Sequence, residues 1–100
     1  MDIAILGSSS FTLGFKLSGV RRIISTEDGG YVERLESALR DPTIGILIIS
    51  DDDLRSLSQL WRARISESVR PVVISVGKSG EEDIRERIKR AIGLDLYQKE

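Results

Sequence analysis

Two short segments carry the residues that could do chemistry. The first is Gly7-Ser8-Ser9-Ser10, three hydroxyls behind a glycine. Such a turn, opening a helix, can offer hydroxyls and free backbone amides to a phosphate. The second is Ser50-Asp51-Asp52-Asp53, with Asp51 as a carboxylate able to accept a phosphoryl group beside a hard cation. Lys78, further on, is a candidate cationic partner. The chain has no histidine and no cysteine. Ser-His-Asp and Cys-His catalysis are therefore excluded, as are the usual zinc sites and any disulfide. Phosphate binding also lacks its glycine pattern. Gly7 and Gly14 stand too far apart for a P-loop, Phe15 occupies the lysine position, and no GxGxxG is present. Three aspartates nearby would repel a phosphate. The simplest reading of both segments is a capped turn at the start of a helix.

The elements that position these segments follow from four apolar runs: Ile3 to Leu6, Val20 to Ile24, Ile44 to Ile49 and Val72 to Val76. Three are nearly unbroken and rich in β-branched residues, the pattern of strands buried on both faces of a parallel sheet. Arg21 and Arg22 interrupt the second run and place it at an edge, where one side can stay wet. Helical patterns fill the gaps. Phe11, Phe15 and Leu17 support a short helix with Ser10 as N-cap and Gly19 as its left-handed stop. Tyr31, Val32, Leu35, Ala38 and Leu39 form a second, between Asp28-Gly29-Gly30 and Asp41-Pro42. Leu54, Leu57, Leu60, Trp61 and Ile65 make the single stripe of a third, with Trp61 packing in the core and Arg62 and Arg64 on a solvated face. The predicted order is βαβαβαβ: an α/β fold with an open, mostly parallel four-stranded sheet in the order 2-1-3-4 and helices on both faces. This is a Rossmann-like, receiver-like topology. In a phosphoryl receiver an acidic pair after the first strand holds Mg²⁺; here Ser8 and Ser9 stand there. A receiver-like or nucleotide-sensing module is the alternative functional reading.

The 100 residues suffice for one α/β domain, residues 1–77, followed by a linker and an additional C-terminal helix in 78–100. Lys78-Ser79-Gly80 reads as the link, and the helix begins near Glu81, with Gly93 as its cap. Four strands need only three crossover helices, so this one is surplus. Ile84, Ile88 and Ile92 recur every fourth residue and make a narrow stripe suited to packing on the sheet or to meeting a partner's helix. Fifteen basic residues balance sixteen acidic ones. That balance argues against nucleic acid as a partner, because phosphate neutralisation needs a basic excess. The longest apolar run, Ile44 to Ile49, is about a third of the ~18 residues that span a membrane. Asp2 after Met1 does not open a signal peptide, so an intracellular protein without direct membrane insertion is expected.

Several motifs together resemble a family. They are Met1 to Gly7, Phe11 to Val20 with its Gly14-Phe15-x-Leu17-x-Gly19-Val20 core, and Ile44 to Ser50 with Asp52-Asp53-Leu54-Arg55. Arg70-Pro71-Val72-Val73 and the ending Ile84 to Leu96, with Ile92-Gly93-x-Asp95-Leu96, complete the set. The chain is similar along essentially its whole length to the F subunits of the A-type, V-type-related (archaeal-type) ATP synthases. One departure is clear: Ser8 and Ser10 stand where relatives often carry acids. The resemblance implies a small doubly wound domain with a C-terminal helix. It implies a non-catalytic rotor component in the central stalk, without cofactor or metal, coupling ATP turnover to ion translocation. The implied partners are the D subunit, which forms the coiled coil of the stalk, and the catalytic A and B subunits. The implied location is peripheral, on the cytoplasmic side of the membrane. Partner contacts are expected at Ile84, Ile88, Ile92 and Leu96 toward the coiled coil, where a narrow stripe suits knobs-into-holes packing. Phe11, Phe15, Asp51, Asp52 and Asp53 are second-rank contacts.

Overall fold

A computed structural model describes residues 1–77. The surplus helix, and with it the division at residue 77, lies outside the described residues. Four strands and four helices follow in order: β1 (Asp2–Gly7), α1 (Ser9–Leu17), β2 (Arg22–Ser25), α2 (Tyr31–Arg40), β3 (Ile44–Ser50), α3 (Asp51–Ser56), α4 (Gln59–Glu67) and β4 (Val72–Val76). All three strand pairings are parallel and the order is β2-β1-β3-β4, as the sequence predicts. Short strands with helical crossovers force this arrangement, because parallel neighbours need a connection that travels back along the sheet.

Alternating side chains on the two faces build two cores. On one face Ala4, Leu6, Leu47 and Ile49 pack with Leu35 and Ala38 of α2 and Ile65 of α4. On the other, Ile5, Ile46, Ile48, Ile74 and Val76 form a cluster against which Phe11 and Phe15 of α1 pack. The alternation breaks once. Asp2 pairs with Ile44 but Ile3 pairs with Ile46, so Gly45 is an extra residue in β3. This bulge puts Ile44 and Leu47 in the same cluster although they are three apart. The side chain of Met1 lies where a Cβ on Gly45 would be, which explains a glycine there.

Edge strand β2 is tied to its surroundings by Arg22. Its guanidinium donates to Asp2 Oδ2 at 3.1 Å and Thr43 Oγ1 at 2.7 Å, and it also pairs with Asp41. The backbone of Asp2 donates to Thr43 O at 2.7 Å, so the beginnings of β1, β2 and β3 are linked at one end of the sheet. Thr43 donates to Asp41 through its amide and its hydroxyl, and with Arg22 these bonds hold the Asp41 carboxyl below its ordinary range.

Three local expectations need correction. Ser8, not Ser10, caps α1: it is the first residue beyond β1, it is extended (φ −69°, ψ 164°), and its hydroxyl accepts from Phe11 N. The second strand starts two residues later than its apolar run, with Val20 packed against the core below it. The predicted third helix is two helices. Leu57 is extended (ψ 152°) and ends α3; Ser58 then caps α4 by accepting from Trp61 N. The break turns Leu60 outward, 70% exposed, while Leu57 and Ile65 remain in the core and Trp61 packs against it. Gly19 (φ +100°) takes the left-handed conformation expected after α1, and Gly30 (φ +72°) takes one before α2 as well.

Candidate functional site

Ligands of open α/β sheets collect beyond the C-terminal ends of the strands, where the order reverses. Here that place lies between β1 and β3, and three loops meet around it: Gly7–Ser10, Ser25–Asp28 and Ser50–Asp53. Parallel pairing of β1 with β3 brings the first and third together as the sequence predicts, and pairing with β2 adds the second, which the sequence reading did not place there. Their polar groups, however, are engaged with one another. The backbone of Thr26 donates to Gly7 O at 3.0 Å, which stitches the first loop to the second. Ser9 Oγ donates to Glu27 Oε1 at 2.7 Å and holds that carboxyl below its ordinary range. Ser8 caps α1 and shares a 3.2 Å hydrogen bond with Ser10. Gly7 is closed over by the Phe11 ring, which would lie 2.7 Å from a Cβ there.

In the acidic segment Ser50 and Asp52 are engaged locally. Ser50 Oγ accepts from Asp53 N at 3.0 Å, so the aspartates occupy the first turn of α3, where a helix is partially positive. Asp52 is exposed and ion-paired with Arg55. Asp51 is half-buried, with Oδ2 only 2.9 Å from where a Cβ on Gly77 would stand. Asp53, half-buried, faces Tyr31, whose hydroxyl is pushed up from its ordinary value by burial first and by the Asp53 charge second. Tyr31 Oη is sealed from solvent and finds no hydrogen-bond partner among the described residues. Among the described residues no three His, Cys, Asp or Glu side chains gather as metal ligands would. The arrangement supports helix capping better than phosphoryl chemistry.

Phe11 and Phe15 turn inward. Both are half-buried, their centroids are 5.3 Å apart at 57°, and they pack on Ile5 and its neighbours. Ile84, Ile88, Ile92 and Leu96 lie outside the described residues. A cleft between α2 and edge strand β2 is floored by Ile24, Ala38 and Ile44, and its Arg22 and Asp41 are already paired. Arg64 stacks over Trp61 at 4.5 Å on the outer side of α4.

The outer face of α1 is what sequence reasoning missed. Leu13 and Leu17 are 53% and 78% exposed. Their spacing of four, out of phase with Phe11 and Phe15, was the available signal. No helix among the described residues is long and apolar enough to cross a membrane.

Known proteins similar to the chain point one way. The family described as ATP synthase (F/14-kDa) subunit matches residues 3–92. The F subunit of the A-type ATP synthase of Methanosarcina mazei is 38% identical over 100 residues, covering 97% of this chain and 99% of the relative. That of Halobacterium salinarum is 41% identical over 101 residues, covering 95% and 84%. Among solved structures, the F subunit of the V-type ATP synthase of Archaeoglobus fulgidus superposes with a TM-score of 0.66 at 34% identity, covering 76% of this chain and 96% of that one. A match of this length, on the sheet order that the sequence itself predicts, is decisive: the chain belongs to the family of F subunits of A/V-type ATP synthases.

Proposed function

We propose that this protein is a non-catalytic part of the central stalk and turns with it. It couples ATP synthesis or hydrolysis in the A and B subunits to ion translocation. The observation that carries this reading is the end-to-end match to A-type F subunits, which includes the segment bearing the isoleucine stripe. The geometry beyond the strand ends agrees with it, because the serines and aspartates there cap helices and pair locally. The coiled-coil D subunit is the expected partner. Ile84, Ile88, Ile92 and Leu96 are the contact, since spacing by four presents one narrow apolar edge to two facing helices. In this reading the protein is held at the cytoplasmic side of the membrane by its partners.

The test is co-expression with the D subunit. Ile84→Glu combined with Ile88→Glu is expected to abolish co-purification while leaving the residue 1–77 domain folded by circular dichroism. Undiminished co-purification of that double variant would overturn the assignment of the contact.

A further inference from the structure

Asp28-Gly29 is the one Asp-Gly pair in the chain, and the chain contains no asparagine. Glycine lacks a Cβ, so its backbone nitrogen lies open to the carboxyl group of the residue before it. Every other aspartate is followed by a residue with a side chain, and Asp41 by Pro42, whose nitrogen carries no proton. Glu27, Asp28, Gly29 and Gly30 are all exposed, and a Cβ built on Gly29 would meet no atom within 4 Å. The Asp28 carboxylate has no hydrogen bond or ion pair among the described residues.

The turn that holds this pair is lightly secured. Gly29 N donates to Thr26 O at 3.0 Å, and neither Glu27 nor Asp28 has a positive φ, so residues 26–29 form a type I turn. Gly30, next in the chain, begins α2 with no side-chain cap. In a type I turn the third residue, here Asp28, has ψ of about 0°, which turns the Gly29 nitrogen away from the Asp28 side chain. The turn must open before the two can meet. One exposed backbone bond closes it, so opening is local and costs little. We propose that Asp28 is a modification site, isomerising spontaneously to isoaspartate when this turn opens. The Gly29 nitrogen attacks Asp28 Cγ and the N–Cγ bond forms. The amide proton and the carboxyl OH leave as one water, giving a five-membered succinimide. Water then adds back to the ring. Breaking N–Cγ restores aspartate; breaking the bond between that nitrogen and the Asp28 backbone carbonyl carbon leaves the chain running through Cγ. The water lost in the first step returns in the second, so mass is unchanged and no co-reactant is needed. The product lengthens the backbone between β2 and α2 by one methylene, beside Glu27, whose carboxylate accepts from Ser9. This inference does not depend on the stalk reading.

The test is ageing of the purified full chain for weeks at neutral pH and elevated temperature. Samples are then treated with an isoaspartyl carboxyl methyltransferase and radiolabelled S-adenosylmethionine, which marks the new α-carboxylate. Wild type is expected to take up at least five-fold more label than Asp28→Glu, where the ring would need six members and closes slowly. Peptide mapping of the wild type, which needs no variant, should show a second peak of unchanged mass for the segment containing Asp28. The chain unfolded in urea is expected to react faster than the native chain, because no turn has to open. Equal labelling of wild type and Asp28→Glu, or second peaks confined to segments with other aspartates, would overturn the proposal. Equal rates in the native and urea-unfolded chain would overturn the control by the turn.

Discussion

Replacing Tyr31 with phenylalanine should stabilise the domain, against the usual sign for a half-buried aromatic residue. Tyr31 is the first residue of α2, and its ring packs against the cluster beneath that helix. Its oxygen is sealed and unpartnered among the described residues. A buried hydroxyl without a partner costs about 1–3 kcal/mol relative to a satisfied one. Phenylalanine keeps the ring and removes that cost. Partial exposure of the ring lowers the gain, so an increase of up to about 1 kcal/mol is expected, where an average substitution loses about that much. Urea titration reads it directly: with a slope of about 1 kcal/mol/M, the midpoint should rise by up to about 1 M with the slope unchanged. Alkaline pH supplies an independent arm. Burial and the Asp53 charge raise the folded-state value of the tyrosine, so the unfolded chain loses this proton first. The wild type should therefore keep full stability below about pH 10 and lose it above. One proton sets an upper bound of about 1.4 kcal/mol per pH unit, less after solvent screening of a half-exposed ring. Tyr31→Phe should lack this increment while keeping any other alkaline loss. A midpoint lowered by more than about 1 M at pH 7 would mean that the hydroxyl does make a native hydrogen bond, and would refute the reasoning.

Three further outcomes follow from single contacts. Ser58→Ala should cost about 0.5–1 kcal/mol, the low end for a cap, because its bond to Trp61 N is long at 3.4 Å; the midpoint of thermal or urea unfolding reads it. Gly7→Ala should cost about 1–3 kcal/mol by overpacking, since the new methyl would stand 2.7 Å from the Phe11 ring, and adding Phe11→Leu should recover part of the loss. The Asp41 carboxyl is held low by Thr43 first and by Arg22 after it, so its stabilisation is present at neutral pH and fades as pH falls below about 4. Asp41→Asn should accordingly reduce stability at pH 7 and flatten the acid limb of a pH titration of the unfolding midpoint.

Periodicity made the sheet legible and left its exceptions hidden. The arginines in the second apolar run put β2 at an edge, in keeping with the observed order β2-β1-β3-β4. Leu54, Leu57, Trp61 and Ile65 keep helical spacing straight through the break at Leu57, so spacing alone describes one helix. Ser58 held the missing information, because a serine hydroxyl three residues before Trp61 N satisfies a helix start. Which of three serines caps α1 depends on where β1 ends, and only the first beyond Gly7 is placed to do it. The bulge at Gly45 and the unpartnered oxygen of Tyr31 arise from register and packing between distant segments, and no local pattern encodes them. At the candidate site the sequence brought two of the three loops together but could not show that Glu27 takes up Ser9 or that Asp51 lies against Gly77.

That engagement bears on how a fold with a ready ligand crevice becomes an assembly part. A nucleotide or phosphoryl site at the switch point requires donors and acceptors left open toward solvent. In this domain the Ser8 and Ser50 hydroxyls accept from their own helices, Ser9 and Glu27 bond each other, and the first turn of α3 is filled by its own aspartates. Opening the crevice would break these bonds and uncap two helices at once. The polar end of the sheet therefore works as a rigid clasp. Exposed apolar area lies away from this end, at residues such as Leu17, Leu60 and Val69. Exposed apolar area of this kind is covered when a neighbour packs on it, which agrees with membership of a multisubunit complex.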